Sequence, residues 1–237
     1  MLRSAEQGDG EAQNKVGQCY YEGRGVAQDY GKAFEWFTRS AARGNSSGQY
    51  NLGACYANGK GAPEDFNKAF EWFMRSASLG HSGAQNKLGQ CYYHGKGVEL
   101  DYRKAVEWSL KSAQHGDSDA QNRLGLCYEY GQGVDQDYQK ALEWYSRSAQ
   151  QGNRTGQYNL GECYESGRVV PQNYQKAFEW YLKSAEQGSS AAQHKVGHFY
   201  YYGQGVAQDR RKAHEWFSRS AAQGNADAQR KLRELDF

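Results

Sequence analysis

Trp36, Trp72, Trp108, Trp144, Trp180 and Trp216 are the only tryptophans in the chain, and each follows the last by 36 residues. The same interval separates Gly17, Gly53, Gly89, Gly125, Gly161 and Gly197, and likewise Ala33, Ala69, Ala105, Ala141, Ala177 and Ala213. A period between about 20 and 50 residues marks one supersecondary unit, copied and stacked, whose apolar face is covered only by its neighbours. The 237 residues are therefore expected to form one elongated domain with a shared core. Copied units build extended surfaces more readily than single chemical sites.

Residues Ala12 to Ser47 illustrate the unit. Ala12, Val16, Gly17, Cys19 and Tyr20 fall at helical spacing, and Gly23 stands just past them as a helix-ending glycine. After a loop through Gly25 and Gln28, Asp29 is placed to cap a second helix carrying Ala33, Phe34, Trp36 and Phe37, closed by Gly44. Asp65, Asp101, Asp137, Asn173 and Asp209 hold the same cap position. The two prolines, Pro63 and Pro171, both stand two residues before it, where no helix has begun. The spacing predicts an all-α fold of helix–turn–helix repeats, with about 26 of every 36 residues helical. Glycine inside a helix costs roughly 0.8–1.0 kcal/mol against alanine, so its recurrence at position 17 predicts a closely crossing backbone. The tryptophans are expected to be buried at junctions between units. On that reading Trp108→Ala is expected to cost about 3–5 kcal/mol through cavity formation.

Frame boundaries are expected at 1–11 for a partial N-terminal repeat, 12–227 for six full repeats and 228–237 for a C-terminal capping helix. Leu2-Arg3-Ser4-Ala5-Glu6-Gln7-Gly8 matches the end of a unit at 182–188, so the chain is expected to start in mid-unit. At the other end Arg233 takes the glycine position, and Arg210 and His214 replace Tyr30 and Phe34, as a polar terminal cap would.

Composition narrows the function classes. With 29 basic and 27 acidic residues and no basic run, the chain lacks the clustered positive stripe that nucleic acid requires. No apolar run approaches the length of a membrane span. Glu35 and Arg39 recur in every unit as Glu71/Arg75, Glu107/Lys111, Glu143/Arg147, Glu179/Lys183 and Glu215/Arg219. Four apart, they are expected to form helix-surface ion pairs of about 0.2–0.5 kcal/mol each. The Gly-x-Gly steps such as Gly23/Gly25 follow a helix rather than a strand, so they read as turns and not phosphate loops. Val169 replaces the second glycine in the fifth unit, which predicts an altered loop there. His194 and His198, four apart on one helix, could chelate a metal, but the spacing fixes no third ligand. A polar recognition patch is the preferred reading, and no metal, no cofactor and no catalytic residue is expected.

The combination A-x-x-x-[LV]-G-x-C-Y, G-x-G-V, D-Y-x-K-A-x-E-W and S-A-x-x-G resembles the Sel-1-like repeat family, a relative of the tetratricopeptide repeats. The resemblance covers essentially the whole chain. It implies a right-handed α-α superhelix, a solenoid, and a non-enzymatic adaptor that assembles protein complexes. It also implies alternatives: a repeat module of a larger protein (kinase, membrane or cell-wall-associated) with its effector domain upstream, or a hydrolase or cell-wall-binding activity as proposed for some relatives. The cysteine-rich secreted branch of the family pairs cysteines at the positions held here by Ala41 and Gln49, and this chain has none there. Its five cysteines, Cys19, Cys55, Cys91, Cys127 and Cys163, share one helical position, with Phe199 in the sixth unit. They read as buried apolar fillers kept as thiols, which favours a reducing compartment.

If the first helices line the concave side, as the resemblance implies, their variable stripe is the recognition face. It comprises Asn14, Gln18 and Tyr21; Tyr50; Asn86, Gln90 and Tyr93; Asn122, Leu126 and Glu129; Tyr158, Glu162 and Glu165; and His194, His198 and Tyr201. Tyrosine supplies rigid contact area, while Asn and Gln can bond an extended backbone. The expected partner is a protein or peptide, with no nucleic acid and no membrane insertion, and the chain itself is expected to be a monomer.

Overall fold

The computed structural model describes residues 1–235, which form 14 α-helices and no strand. Positions 236 and 237, the end of the expected capping helix, lie outside the described residues. A short α1 (Leu2–Glu6) precedes six helix pairs: α2 (Gly10–Glu22) with α3 (Tyr30–Ala42), α4 (Ser46–Asn58) with α5 (Phe66–Ser78), and α6 (Ser82–His94) with α7 (Tyr102–Gln114). There follow α8 (Ser118–Tyr130) with α9 (Tyr138–Gln150), α10 (Arg154–Ser166) with α11 (Tyr174–Glu186), and α12 (Ser190–Tyr202) with α13 (Arg210–Ala222), before α14 (Ala226–Leu235). Each member of a pair has 13 residues, so the helical share of the period is the one expected. The chain falls into two compact units, Met1–Ala120 and Gln121–Phe237.

The helix ends follow from side-chain chemistry. Asp29, Asp65, Asp101, Asp137, Asn173 and Asp209 each accept the backbone N–H three residues on, at 2.9–3.0 Å. First helices are capped too, by Asp9, Asn45, Asn153 and Ser189, and by His81 through its Nδ1. These caps satisfy N–H groups that the helix itself cannot.

In five of the six repeats the glycine of the first helix receives an aromatic ring of the second. A Cβ on Gly17 would stand 2.6 Å from Cε1 of Phe37, and one on Gly161 would stand 2.7 Å from Tyr181. The crossing group is thus a side chain, not the backbone expected from the sequence, although the Ala33 carbonyl follows at 3.3 Å from Gly17. Fully buried serines join the helices again: Ser40, Ser76, Ser184 and Ser220 donate to carbonyls 30 residues earlier, at the starts of first helices. Buried glutamines supply a further link. Gln13, Gln157 and Gln193 donate to the carbonyls of Ala5, Ala149 and Ala185, so a hydrogen bond spans the two positions where the cysteine-rich branch has its disulfide. In the second unit Gln121, Gln157 and Gln193 also accept from Gln151, Gln187 and Gln223. In the first unit the donor position holds Arg43, Leu79 and His115, and the Oε1 atoms of Gln13, Gln49 and Gln85 have no hydrogen-bond partner among the described residues.

The tryptophans are half-buried rather than buried. One face seats on the cluster that joins its repeat to the preceding one: Trp72 on the Phe37, Leu52 and Cys55 cluster, Trp108 on Phe73 and Leu88, Trp216 on Tyr181 and Phe199. The other face is covered by a cation three residues on. Arg39 lies 4.6 Å from the Trp36 ring centroid, Lys111 4.2 Å from Trp108 and Lys183 4.0 Å from Trp180. This corrects the expected ion pairs, since among the described residues no bridge joins Glu35 to Arg39 or its counterparts. The basic side chain covers an apolar ring through a cation–π contact, an interaction of about 0.5–1 kcal/mol at exposed sites. Half burial also lowers the expected penalty for Trp108→Ala to about 2–3 kcal/mol. A urea melt showing less than about 1 kcal/mol would mean that the ring does not seat on the Phe73 cluster.

Candidate recognition face

The predicted stripe divides by depth. Asn14, Asn86 and Asn122 are buried, at 6%, 7% and 8% exposure. Their amides work inside the scaffold: Asn51 donates to Asn14 and Asn159 to Asn122 at 2.8 Å, and Asn86 donates to Asp117 at 3.0 Å. These links run between first helices of consecutive repeats or to the next cap. Gln18, Tyr21, Tyr50, Gln90, Tyr93, Leu126, Glu129, Tyr158, Glu165, His194, His198 and Tyr201 are part-buried, and Glu162 is exposed.

In the first unit the tyrosines lean on neighbouring rings. Tyr21 meets Tyr30 edge-on at 5.1 Å, Tyr93 meets Tyr102 at 5.3 Å, and Tyr50 stacks on His81 at 4.8 Å. These contacts restrict the rings while leaving part of each open. In the second unit Tyr201 carries Lys231 over its ring at 4.7 Å. His194 packs on Phe217, and His198 packs on Tyr202 with centroids 4.5 Å apart. Burial lowers both histidine pKa values, favouring neutral rings. Among the described residues no group of three or more His, Cys, Asp and Glu side chains could hold a metal ion.

A different arrangement occupies a cavity of about 370 Å³ in the second unit, bounded by α8, α9, α10 and α12. Tyr145 donates to Glu129 at 2.6 Å and Tyr181 donates to Glu165. Lys195 reaches Glu165 at 2.7 Å and Glu162 at 3.6 Å, and Tyr158 donates to Glu162 at 3.0 Å. Tyr145 and Tyr181 are fully buried, and burial together with the adjacent carboxylates drives their pKa values far upward. The sequence stripe missed Tyr145, Tyr181 and Lys195. A signal was present: positions 145 and 181 carry a hydroxyl where 37, 73 and 217 are Phe, and Glu129 and Glu165 replace Tyr21, Ala57 and Tyr201 in the same repeats.

All five cysteines are free; Cys55 and Cys127 are buried and the other three part-buried. Burial pushes the thiols of Cys55 and Cys127 up to about 11 and that of Cys163 up to about 12. Such thiols are poor nucleophiles at neutral pH.

The repeat signature itself decides the family: Sel1 repeats match at 10–45, 46–81, 82–117, 118–153, 155–189 and 190–225. The chain belongs to the Sel1 repeat family. Sel1 repeats build protein-interaction scaffolds, and no helix among the described residues is long and apolar enough to cross a membrane. A protective antigen of uropathogenic Escherichia coli strains with an SLR fold is 38% identical, with a TM-score of 0.86 over 98% of this chain and 50% of its own. The present chain thus spans about half the length of that antigen. A Sel1 repeat protein of Oxalobacter formigenes is 34% identical at a TM-score of 0.86, covering 99% of this chain and 68% of its own. An immunity protein of Pseudomonas aeruginosa, 20% identical at a TM-score of 0.59 over 90% of this chain and 81% of its own, shares the fold alone. No curated protein matches the chain.

In the Sel1 frame the departures are informative. At position 169, where the other repeats have glycine, Val169 does not take up a positive φ, packs on the Leu142 and Leu160 cluster and walls the Glu129 cavity. The altered loop expected from the sequence is therefore part of that cavity.

Proposed function

We propose that the chain is a non-enzymatic adaptor that holds a peptide segment or partner helix along the groove formed by its first helices. The observation that carries this reading is where variation is allowed. The Gly, Ala, Ser and Trp positions that join helices repeat almost without change, whereas the open positions of the first helices vary along the chain, Gln18 giving way to Ala54, Gln90, Leu126, Glu162 and His198 in turn. Side chains there include rings held by neighbouring rings, such as Tyr21, Tyr93 and Tyr201. Rigid aromatic contact area of this kind loses little entropy on binding. Polar neighbours, Gln18 and Gln90 among them, offer donors and acceptors to a backbone.

The test is to change Tyr21, Tyr93 and Tyr201 together to Ala and to capture the cognate partner from a lysate of the source cells. Capture is expected to fall at least tenfold with helical content unchanged. Undiminished capture by a folded triple variant would remove the tyrosines, and the groove with them, from recognition.

A further inference from the structure

The first unit holds a second cavity, of about 330 Å³, at the place equivalent to the Glu129 cavity 72 residues later. Two of its lining side chains are small and carry no polar group. The stripe of α4 has Ala54 and Ala57, where α2 has Gln18 and Tyr21 and α6 has Gln90 and Tyr93. Ala69, Phe66 and Phe73 give the cavity an apolar floor.

Its rim is cationic. Lys87 of α6 reaches Gln90 Oε1 at 3.3 Å, its one polar partner among the described residues, and Lys96 of the following loop lies 5.1 Å from the Phe66 ring centroid. Neither ammonium has a carboxylate partner among the described residues, and no acidic residue lines the cavity. The counterpart in the second unit differs position by position: Glu129 stands for Ala57, Asn159 for Lys87 and Glu162 for Gln90. There the carboxylates are supplied by the chain and are met by Lys195 and two phenols. The same enclosure has its charges paired internally in one unit, while in the other it presents two ammoniums without a carboxylate among the described residues.

We propose that this cavity receives an acidic side chain of the bound peptide, its carboxylate between Lys87 and Lys96 and an adjoining apolar residue on Phe66 and Phe73. An ammonium with no internal partner gains from a carboxylate brought into a half-enclosed site, where water screens the pair less than at an open surface. The inference rests on the adaptor reading above, because it names what one place in that groove selects.

The probe is a positional-scanning library of C-terminally amidated, fluorescein-labelled dodecapeptides, titrated against the full chain by fluorescence anisotropy. Amidation removes the terminal carboxylate, so any acidic preference comes from side chains. Pools fixed as Asp or Glu at one position are expected to bind about tenfold more tightly than pools fixed as Asn or Gln. The double charge reversal Lys87→Glu with Lys96→Glu, at part-buried and exposed sites, is expected to turn that preference toward Lys and Arg. Ala57→Tyr, which refills the cavity, is expected to reduce it below about twofold while leaving other pools bound. An acidic preference that survives the charge reversal would overturn the assignment. So would binding with no acidic preference that is nevertheless lost in the triple tyrosine variant, and in that case the groove reading stands. Failure of every pool to bind the unmodified chain would overturn the groove reading and this inference together.

Discussion

Gly97→Ala is expected to lower stability by on the order of 3–5 kcal/mol, with a fall in Tm on the order of 10 °C. Two effects coincide at this residue. Its φ is +71°, a left-handed conformation that costs an alanine roughly 1–2 kcal/mol. A Cβ there would also fall on the Phe66 carbonyl and stand 3.1 Å from the Asn67 nitrogen, so the loop could not stay seated on the start of α5. Gly61 and Gly205 are placed in the same way against Tyr30 and Tyr174. The sequence explained these glycines by turn geometry, and the structure adds inter-repeat packing. Gly25 separates the two effects, because its φ is +72° but nothing lies within 4 Å of its Cβ position. Gly25→Ala should therefore cost only about 1–2 kcal/mol in the same urea melt. Equal losses in the two variants would show that backbone strain alone decides both. A small loss at Gly97 would show that the loop can adopt the geometry used around Val169.

Raising the pH above about 9 is expected to destabilise the protein steeply, and the second unit more than the first. Cys127, Tyr145 and Tyr181 are fully buried in the second unit, and Cys55 is the counterpart in the first. Burial raises the pKa of each in the folded chain, with the neighbouring carboxylates adding to it at the two tyrosines. Once unfolded, the thiols ionise near 9.0 and the phenols near 10.0. Between those values and the folded ones, the unfolded chain binds fewer protons than the native chain, so stability falls with rising pH. Below about pH 9 the protons are held in both states and the stabilisation is complete. Each proton steepens the fall by up to about 1.4 kcal/mol per pH unit. Urea midpoints followed by circular dichroism should be level between about pH 7 and 8.5 and drop sharply by about pH 10.5. Replacing Tyr145 and Tyr181 with Phe should remove about two protons' worth of that slope. An unchanged slope would assign the alkaline transition to other groups.

Much of the architecture could be read directly from residue types whose action is local. Gly23 and its counterparts close the first helix of a pair, and Asp29 and its counterparts start the second by a bond within one turn, so their spacing alone places the turn between the two. Depth was harder to read, because periodicity tells which face of a helix a residue occupies and not what covers it. Trp36 occupies the inward face, but Arg39 three residues on covers its outer side. Asn14 looked like groove surface because its partner, Asn51, is 37 residues away and belongs to another helix. Tyr145 and Glu129 lie 16 apart on different helices, and only their joint departure from the repeat shows that they meet. The cavity lined by Ala54 and Ala57 was invisible for a simpler reason: an inventory of polar groups passes over alanines.

The half-buried tryptophans also make the chain its own optical ruler. The indoles of Trp36, Trp72, Trp108, Trp180 and Trp216 each rest on a cluster at the junction with the repeat before and under a cation of their own, so their emission should respond when that one junction opens. Retaining a single indole and replacing the other five with Phe would turn each variant into a reporter for one boundary. Five such chains would resolve whether these junctions open together or in sequence. The regular spacing that betrays the fold in the sequence would then give the order in which it comes apart.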